Sequence, residues 1–207
     1  KWHEAESDPE LLELWVADMD FLPVPEIRDA VINYAETHIF GYPYPSDELY
    51  QSIIDWEKNQ HGYSVDKASI VLIEGVVPAI STAIQSFTKE DDAVLINTPV
   101  YPSFARSVRL NNRKLIENSL VKVNGHFEID FEQLERDIVD NDVKLYVFCS
   151  PHNPGGRVWT KEELTMVADL CQKHGVLLVS DEIHQYLALY GNKHISMNTI
   201  SDAYKDF

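Results

Sequence analysis

The chain has 207 residues, 44% of them hydrophobic and 25% charged, enough to bury a sizeable core. With Lys plus Arg at 17 and Asp plus Glu at 34, its net charge of −17 repels phosphate backbones, which argues against nucleic-acid and anionic-membrane partners. Ordinary Gly and Pro content argues against disorder or a collagen-like chain, and no apolar run approaches the ~20 residues of a membrane span.

The N-terminal KWHEAESDPE is charged and lacks a signal-peptide core. Lys1 stands where a start Met would, so the natural chain is expected to begin upstream. Residues 1–23 read as irregular, with one short apolar run, LWVA. Pro25 opens a helical pattern, PEIRDAVINYAET, with Ile27, Ala30, Val31 and Tyr34 at helical spacing. HIFGYPYPS then interrupts with one Gly and two Pro. Ser46 is the expected N-cap of a second helix, which has two acids in its first turn and closes at Gly62.

From about residue 69 the texture changes. SIVLI, AVLIN, KLYVFC and GVLLVS are short, almost wholly apolar runs, as expected of strands buried on both faces of a parallel or mixed sheet. Helical patterns separate them: VPAISTAIQSF, YPSFARSVRL, FEQLERDIV and KEELTMVADLCQKH. The last follows Thr160, with Glu163 completing a capping box, and stops at Gly175. The alternation predicts a three-layer α/β/α domain with a mostly parallel mixed sheet. Cys149 and Cys171 sit in apolar stretches and read as buried, reduced thiols of a cytoplasmic protein.

In such sheets, ligands gather at the carboxyl ends of the strands. SIVLI is followed by Glu74-Gly75-Val76-Val77-Pro78. A glycine there lets the backbone approach a ligand, and the next amides suit a phosphate. Taken alone, this is also what a tight βα turn requires. After AVLIN, Tyr101 in TPVYP can stack on a planar ring, and a core-facing tyrosine reads equally well. SPHNPGG follows KLYVFC, and two Pro and two Gly hold Asn153, an amide donor, in a rigid turn. After GVLLV comes SDEIH. A carboxylate leaving an apolar strand is costly unless a cation, or a ring nitrogen it keeps protonated, offsets it. His184 can donate an N–H into the same space. A metal reading with His152, Asp181 and His184 as ligands lacks any compact ligand spacing; no metal is expected.

In order, GVVP, PVYP, SPHNPGG and SDEIH resemble the fold-type I family of pyridoxal-phosphate enzymes. Within it they look most like the cystathionine β-lyase-like branch of class I/II aminotransferases, as do LWVADMDF and HIFGYPYP nearer the N-terminus. The resemblance covers essentially the whole chain and implies pyridoxal 5'-phosphate as cofactor. It also implies residue roles. Gly75, Val76 and Val77 would hold the cofactor phosphate through their amides. Tyr101 would stack on the pyridine ring. Asn153 would bond the 3-oxygen, with His184 where many relatives have a Tyr. Asp181 would pair with the pyridinium nitrogen. Tyr42 would reach the neighbouring subunit's cofactor in a homodimer, and Ala17 and Asp18 would close over the substrate carboxylate.

One departure stands out. The family needs a Schiff-base lysine in an SxxK-like context. Only Lys193 and Lys205 follow Asp181, at spacings of 12 and 24, and neither has that context. The lysine is therefore expected beyond Phe207. Residues 1–45 are expected to form an N-terminal arm, helix and substrate or dimer loop, and residues 46–207 a partial cofactor-binding large domain, with the C-terminal small domain absent. On its own the chain is expected to lack activity and to expose apolar surface. The implied activity of the parent is carbon–sulfur β-elimination from an amino-acid substrate. An aminotransferase is the first rival. The second is a non-catalytic binding module on the same scaffold, against which the retained Asp181, Asn153 and Tyr101 weigh.

Overall fold

A computed structural model of the chain describes residues 8, 10–12 and 16–201. Leu14 and Trp15 of the LWVA run, and Lys205, lie outside the described residues. The chain divides into two compact units, Lys1–Pro45 and Ser46–Phe207.

Among its described residues, the first unit contains one helix, α1, Pro25–Thr37. Pro25 supplies the fixed φ of a first helical turn and lacks only an N–H that would have no intrahelical partner there. The helix ends where the His38 N–H turns back to the Tyr34 carbonyl, and none of its residues is buried.

The second unit opens with α2, Asp47–His61, at the predicted boundaries. Ser46 Oγ accepts from the Leu49 N–H at 3.3 Å, Asp47 and Glu48 face the positive end of the helix, and Gly62 closes it at φ 68°. Helices α3 (Val76–Phe87), α4 (Ser103–Leu110), α5 (Phe131–Asp140) and α6 (Lys161–His174) follow, interleaved with strands. Thr160 and Glu163 form the predicted capping box of α6.

The strands are β1 (Ala93–Thr98), β2 (Lys114–Ser119), β5 (Val143–Cys149) and β6 (Leu177–Asp181) in one sheet, and β3 (Val121–Val123) with β4 (His126–Glu128) in a hairpin. The main sheet has the order β2-β1-β5-β6 and is parallel at every pair. The mixed character expected of it is confined to the separate antiparallel hairpin.

One expectation fails. SIVLI forms no strand: a 3-10 turn covers Lys67–Ser69, Ile70–Ile73 has no ladder partner, and Val71 is 82% exposed. An apolar β-branched run becomes a strand only when a neighbour supplies the other half of its hydrogen bonds. Two pieces of β structure, β2 and the β3–β4 hairpin, were not predicted.

Side chains alternate across the sheet. Val94, Ile96, Leu145, Val147 and Cys149 pack against Ile80 and Ile84 of α3 and Phe104 and Val108 of α4. Ala93, Leu95, Tyr146 and Phe148 pack the other way, against Leu134 and Ile138 of α5 and Leu164, Val167 and Cys171 of α6. Helices cover both faces, as predicted. Both cysteines are free and buried, and burial pushes their thiols up to about 11 for Cys149 and about 12 for Cys171. Thiols held so far above neutral pH stay protonated and unreactive. Among the described residues no helix is long and apolar enough to cross a membrane.

Candidate active site

The strand order reverses beside β1. The connection through α4 carries the chain to β2 on one side, and the return through α5 places β5 on the other. The loops after β1 and β5 therefore leave adjacent strand ends in opposite directions, and the gap between them is where an open α/β sheet receives a ligand.

Two sequence-predicted residues meet in that gap. The Tyr101 N–H donates to the Asn153 carbonyl at 3.0 Å. Tyr101 is 43% exposed, so its ring belongs to the surface of the gap and not to the core. The loop carrying Asn153 is tied at both ends. At its start, the Asn153 N–H points to Cys149 Sγ at 3.4 Å, and the Cys149 thiol donates to the Pro151 carbonyl at 3.3 Å. At its end, the His152 N–H donates to the Arg157 carbonyl and the Gly156 N–H to the His152 carbonyl, both at 2.8 Å. The Arg157 guanidinium bonds both Glu163 carboxylate oxygens, at 2.6 and 2.8 Å, and the Phe127 carbonyl at 2.7 Å, and lies 4.8 Å from the Trp159 ring centroid. The Trp159 indole N–H donates to the Cys149 carbonyl at 2.9 Å.

Asp181 ends the next strand, in register with Cys149, and its carbonyl accepts from the Ser150 N–H at 2.9 Å. Its carboxylate is buried and accepts from the Ile183 N–H at 3.0 Å. Among the described residues no Lys or Arg pairs with it. Burial pushes its pKa up, and the Ile183 N–H and nearby His184 only partly offset that.

The adjacent Glu182 is a contrast that the sequence did not reveal. It is partly buried, yet it accepts from Ser180 Oγ at 2.9 Å and the Met197 N–H at 2.8 Å, and meets His194 Nε2 at 3.0 Å. Burial alone would raise its pKa, but these partners together lower it. One carboxylate of the pair is saturated by the protein and the other is left in need of a cation. Ser180 is the only partner of Glu182 nearby in sequence; the others come from residues 194–197, which no local signal brings to Glu182.

At the start of α3, Gly75 adopts φ 125°, ψ 161°, a conformation open to glycine alone, and no side chain caps the first-turn amides. Val76 and Asp181 line the same cleft of about 450 Å³, which runs along β6. Gly75, Tyr101, Asn153 and His184 do not line it. A Cβ at Gly75 would meet only Pro78 Cδ, at an unstrained 3.7 Å. Gly75→Ala therefore acts through the backbone alone. It is expected to cost about 1–3 kcal/mol and to weaken phosphate-dependent ligand binding, measured by calorimetric titration of the full-length protein. Unchanged stability and binding would mean that the turn does not need its glycine.

Ala17, Asp18 and Tyr42 belong to the first unit, and all three are exposed. Lys193 is exposed as well. Among the described residues no group of three or more His, Cys, Asp or Glu side chains could hold a metal ion.

Residues 9–204 match the family described as aminotransferase class I and II. The chain belongs to this family. Cystathionine beta-lyase PatB of Bacillus subtilis (strain 168) is 42% identical over 195 residues, 94% of this chain and 50% of that protein. Protein MalY of Escherichia coli (strain K12) is 32% identical over 193 residues, 93% of this chain and 50% of that protein. The crystal structure of cystalysin from Treponema denticola, which contains a pyridoxal 5'-phosphate cofactor, superposes with a TM-score of 0.90 at 37% identity, covering 97% of this chain and 52% of that one. The chain thus spans about half the length of the curated relatives it matches.

Proposed function

We propose that the full-length protein is a pyridoxal 5'-phosphate-dependent carbon–sulfur β-lyase. It cleaves cystathionine or a related cysteine S-conjugate, with water, to thiol, pyruvate and ammonia. The observation that carries the cofactor reading is Asp181, a buried carboxylate with one protein donor and no cationic partner among the described residues. A protonated ring nitrogen supplies the missing charge. The other residues named by the resemblance have the chemistry to hold the rest of the group. The Gly75, Val76 and Val77 amides offer a phosphate cradle, Tyr101 a stacking face, and Asn153 and His184 donors toward the 3-oxygen.

When bound, the cofactor supplies an electron sink for the pair left as the substrate Cα proton departs. The chain's own residues set its terms. Asp181 would hold a proton on the ring nitrogen, Asn153 would donate to the 3-oxygen, and the α3 amides would hold the anionic end. The choice of lyase over transferase rests on the name of the relative at 42% identity. The aminotransferase reading keeps its place because the family description itself names that activity. Incubating the full-length protein with cystathionine is expected to release pyruvate without any keto acid. Amino transfer that requires a keto acid, with no pyruvate, would establish the transferase instead.

We further assign residues 1–45 to a substrate and dimer arm and 46–207 to part of the cofactor-binding domain. Ala17 and Asp18 would close over the substrate. Tyr42, fully exposed among the exposed Ile39, Phe40 and Tyr44, is suited to a second copy's site in a homodimer. Two free thiols fit the reducing cytoplasm.

A further inference from the structure

We propose that His152 is a positioning residue: its ring ties the loop after β1 to the loop after β5, and so fixes Tyr101 and Asn153 relative to one another around the cofactor. The proposal rests on the pyridoxal-phosphate reading. His152 is 3% exposed, and its Nε2 lies 2.8 Å from the Pro99 carbonyl, across the gap at the strand-order reversal. A carbonyl oxygen can only accept, so Nε2 carries the proton and Nδ1 presents a lone pair. Nδ1 is buried and makes no well-formed hydrogen bond, while the ring also interacts with the Cys149 backbone. Burial also pushes the histidine's pKa down, outweighing the Pro99 and Cys149 backbone, which favours the neutral ring.

A buried acceptor with no well-formed bond is a standing cost of folding. A loop that needed only to turn would avoid it with a smaller residue. The surroundings instead reserve space for the ring. A Cβ on Gly155 would stand 2.8 Å from His152 Cδ2 and 3.2 Å from Phe127 Cδ2, so any larger residue there displaces the imidazole. Trp159 closes the other side edge-on, with ring centroids 5.7 Å apart and an interplanar angle of 70°. The ring is thus held in one orientation, in which it makes one cross-loop bond. The main-chain bond from Tyr101 to Asn153 is the companion link. A single bond leaves two loops free to pivot about it; two bonds at different points remove that freedom.

The test uses the full-length protein and pyridoxal phosphate. His152→Phe keeps a ring and removes the donor, while His152→Gln keeps an N–H at similar reach. Two quantities are read: the Kd for the cofactor, and the visible circular dichroism of the bound cofactor, which reports how its ring is held. His152→Phe is expected to weaken binding about tenfold, roughly 1.4 kcal/mol, and to alter the visible dichroism. His152→Gln is expected to recover affinity to within about threefold. Wild-type Kd and dichroism in His152→Phe would overturn the proposal. If that variant does not fold, Gly155→Ala, which displaces the ring without removing it, decides by the same two readings. Failure of the wild-type protein to bind pyridoxal phosphate would sink the cofactor reading and the proposal with it. Normal wild-type binding beside an indifferent His152→Phe sinks the positioning role alone.

Discussion

Asp181→Asn in the full-length protein is expected to lower kcat/KM about a thousandfold, roughly 4 kcal/mol of transition-state stabilisation. The replacement is nearly isosteric, and its amide oxygen can still accept from the Ile183 N–H, so the turn after β6 is kept. Only the charge proposed to hold a proton on the ring nitrogen is lost. The same variant carries a second, opposite expectation. In the cofactor-free protein the Asp181 carboxyl is buried and its pKa is raised. The native state therefore binds that proton more tightly than the unfolded chain does. The contribution to stability falls as pH rises from the ordinary carboxylate range through the native pKa, and above that range the full penalty remains. Asn carries no such penalty. The cofactor-free variant should melt higher than wild type at neutral pH, with the gap closing in acid. Thermal scans at several pH values and steady-state kinetics check both halves. An inert but no more stable variant would keep Asp181 in the chemistry and reject the account of its burial; wild-type kcat/KM would remove Asp181 from the site.

Arg157→Ala should be the most damaging of the loop substitutions for stability. It leaves Glu163 without its bidentate partner, frees the Phe127 carbonyl and strips a cation from the Trp159 face. The two side chains remain 17% and 19% exposed, so the loss lies below that of a fully dry pair, at about 2–3 kcal/mol. For a chain of this size that is a fall in Tm of about 4–12 °C. Glu163→Gln should cost less, because a Gln side chain can still complete the capping box with Thr160. Calorimetry of both variants and the double variant separates the pair from the cap. Equal losses in the two single variants would show that the ion pair they share, and not Arg157's contacts with Phe127 and Trp159, dominates.

The features legible in the sequence were those decided within a few residues. Pro25, Ser46, Gly62, the Thr160–Glu163 box and Gly175 fix helix ends through local geometry, and each stands where it was read. The runs AVLIN, KLYVFC and GVLLVS identified β1, β5 and β6 because strands covered on both faces are apolar throughout. SIVLI carried the same signal and misled, since strand formation depends on a neighbour that composition does not reveal. β2 escaped notice because Lys114, Glu117 and Asn118 interrupt its apolar positions. Asn118 is nonetheless fully buried, bonded to Asn97 at 3.0 Å and to Asp137 at 2.8 Å. The β3–β4 hairpin was readable: Asn124-Gly125 takes positive φ at both positions, a tight hairpin turn. At the site, strand ends directed attention to Tyr101, Asn153 and Asp181. The saturation of Glu182 and the clamp on Arg157 depend on partners brought in by the fold, and no spacing rule points to them.

Trp159 lies 2% exposed beneath the Asn153 loop, whereas Trp56 is 52% exposed. The protein therefore carries its own optical probe. A sheltered indole emits at shorter wavelength than a hydrated one, so these two of the chain's four tryptophans differ in colour. A chromophore seated above the loop would accept excitation from the sheltered indole and dim it. Occupancy of the site can thus be followed as a loss of blue-edge emission, with no label attached.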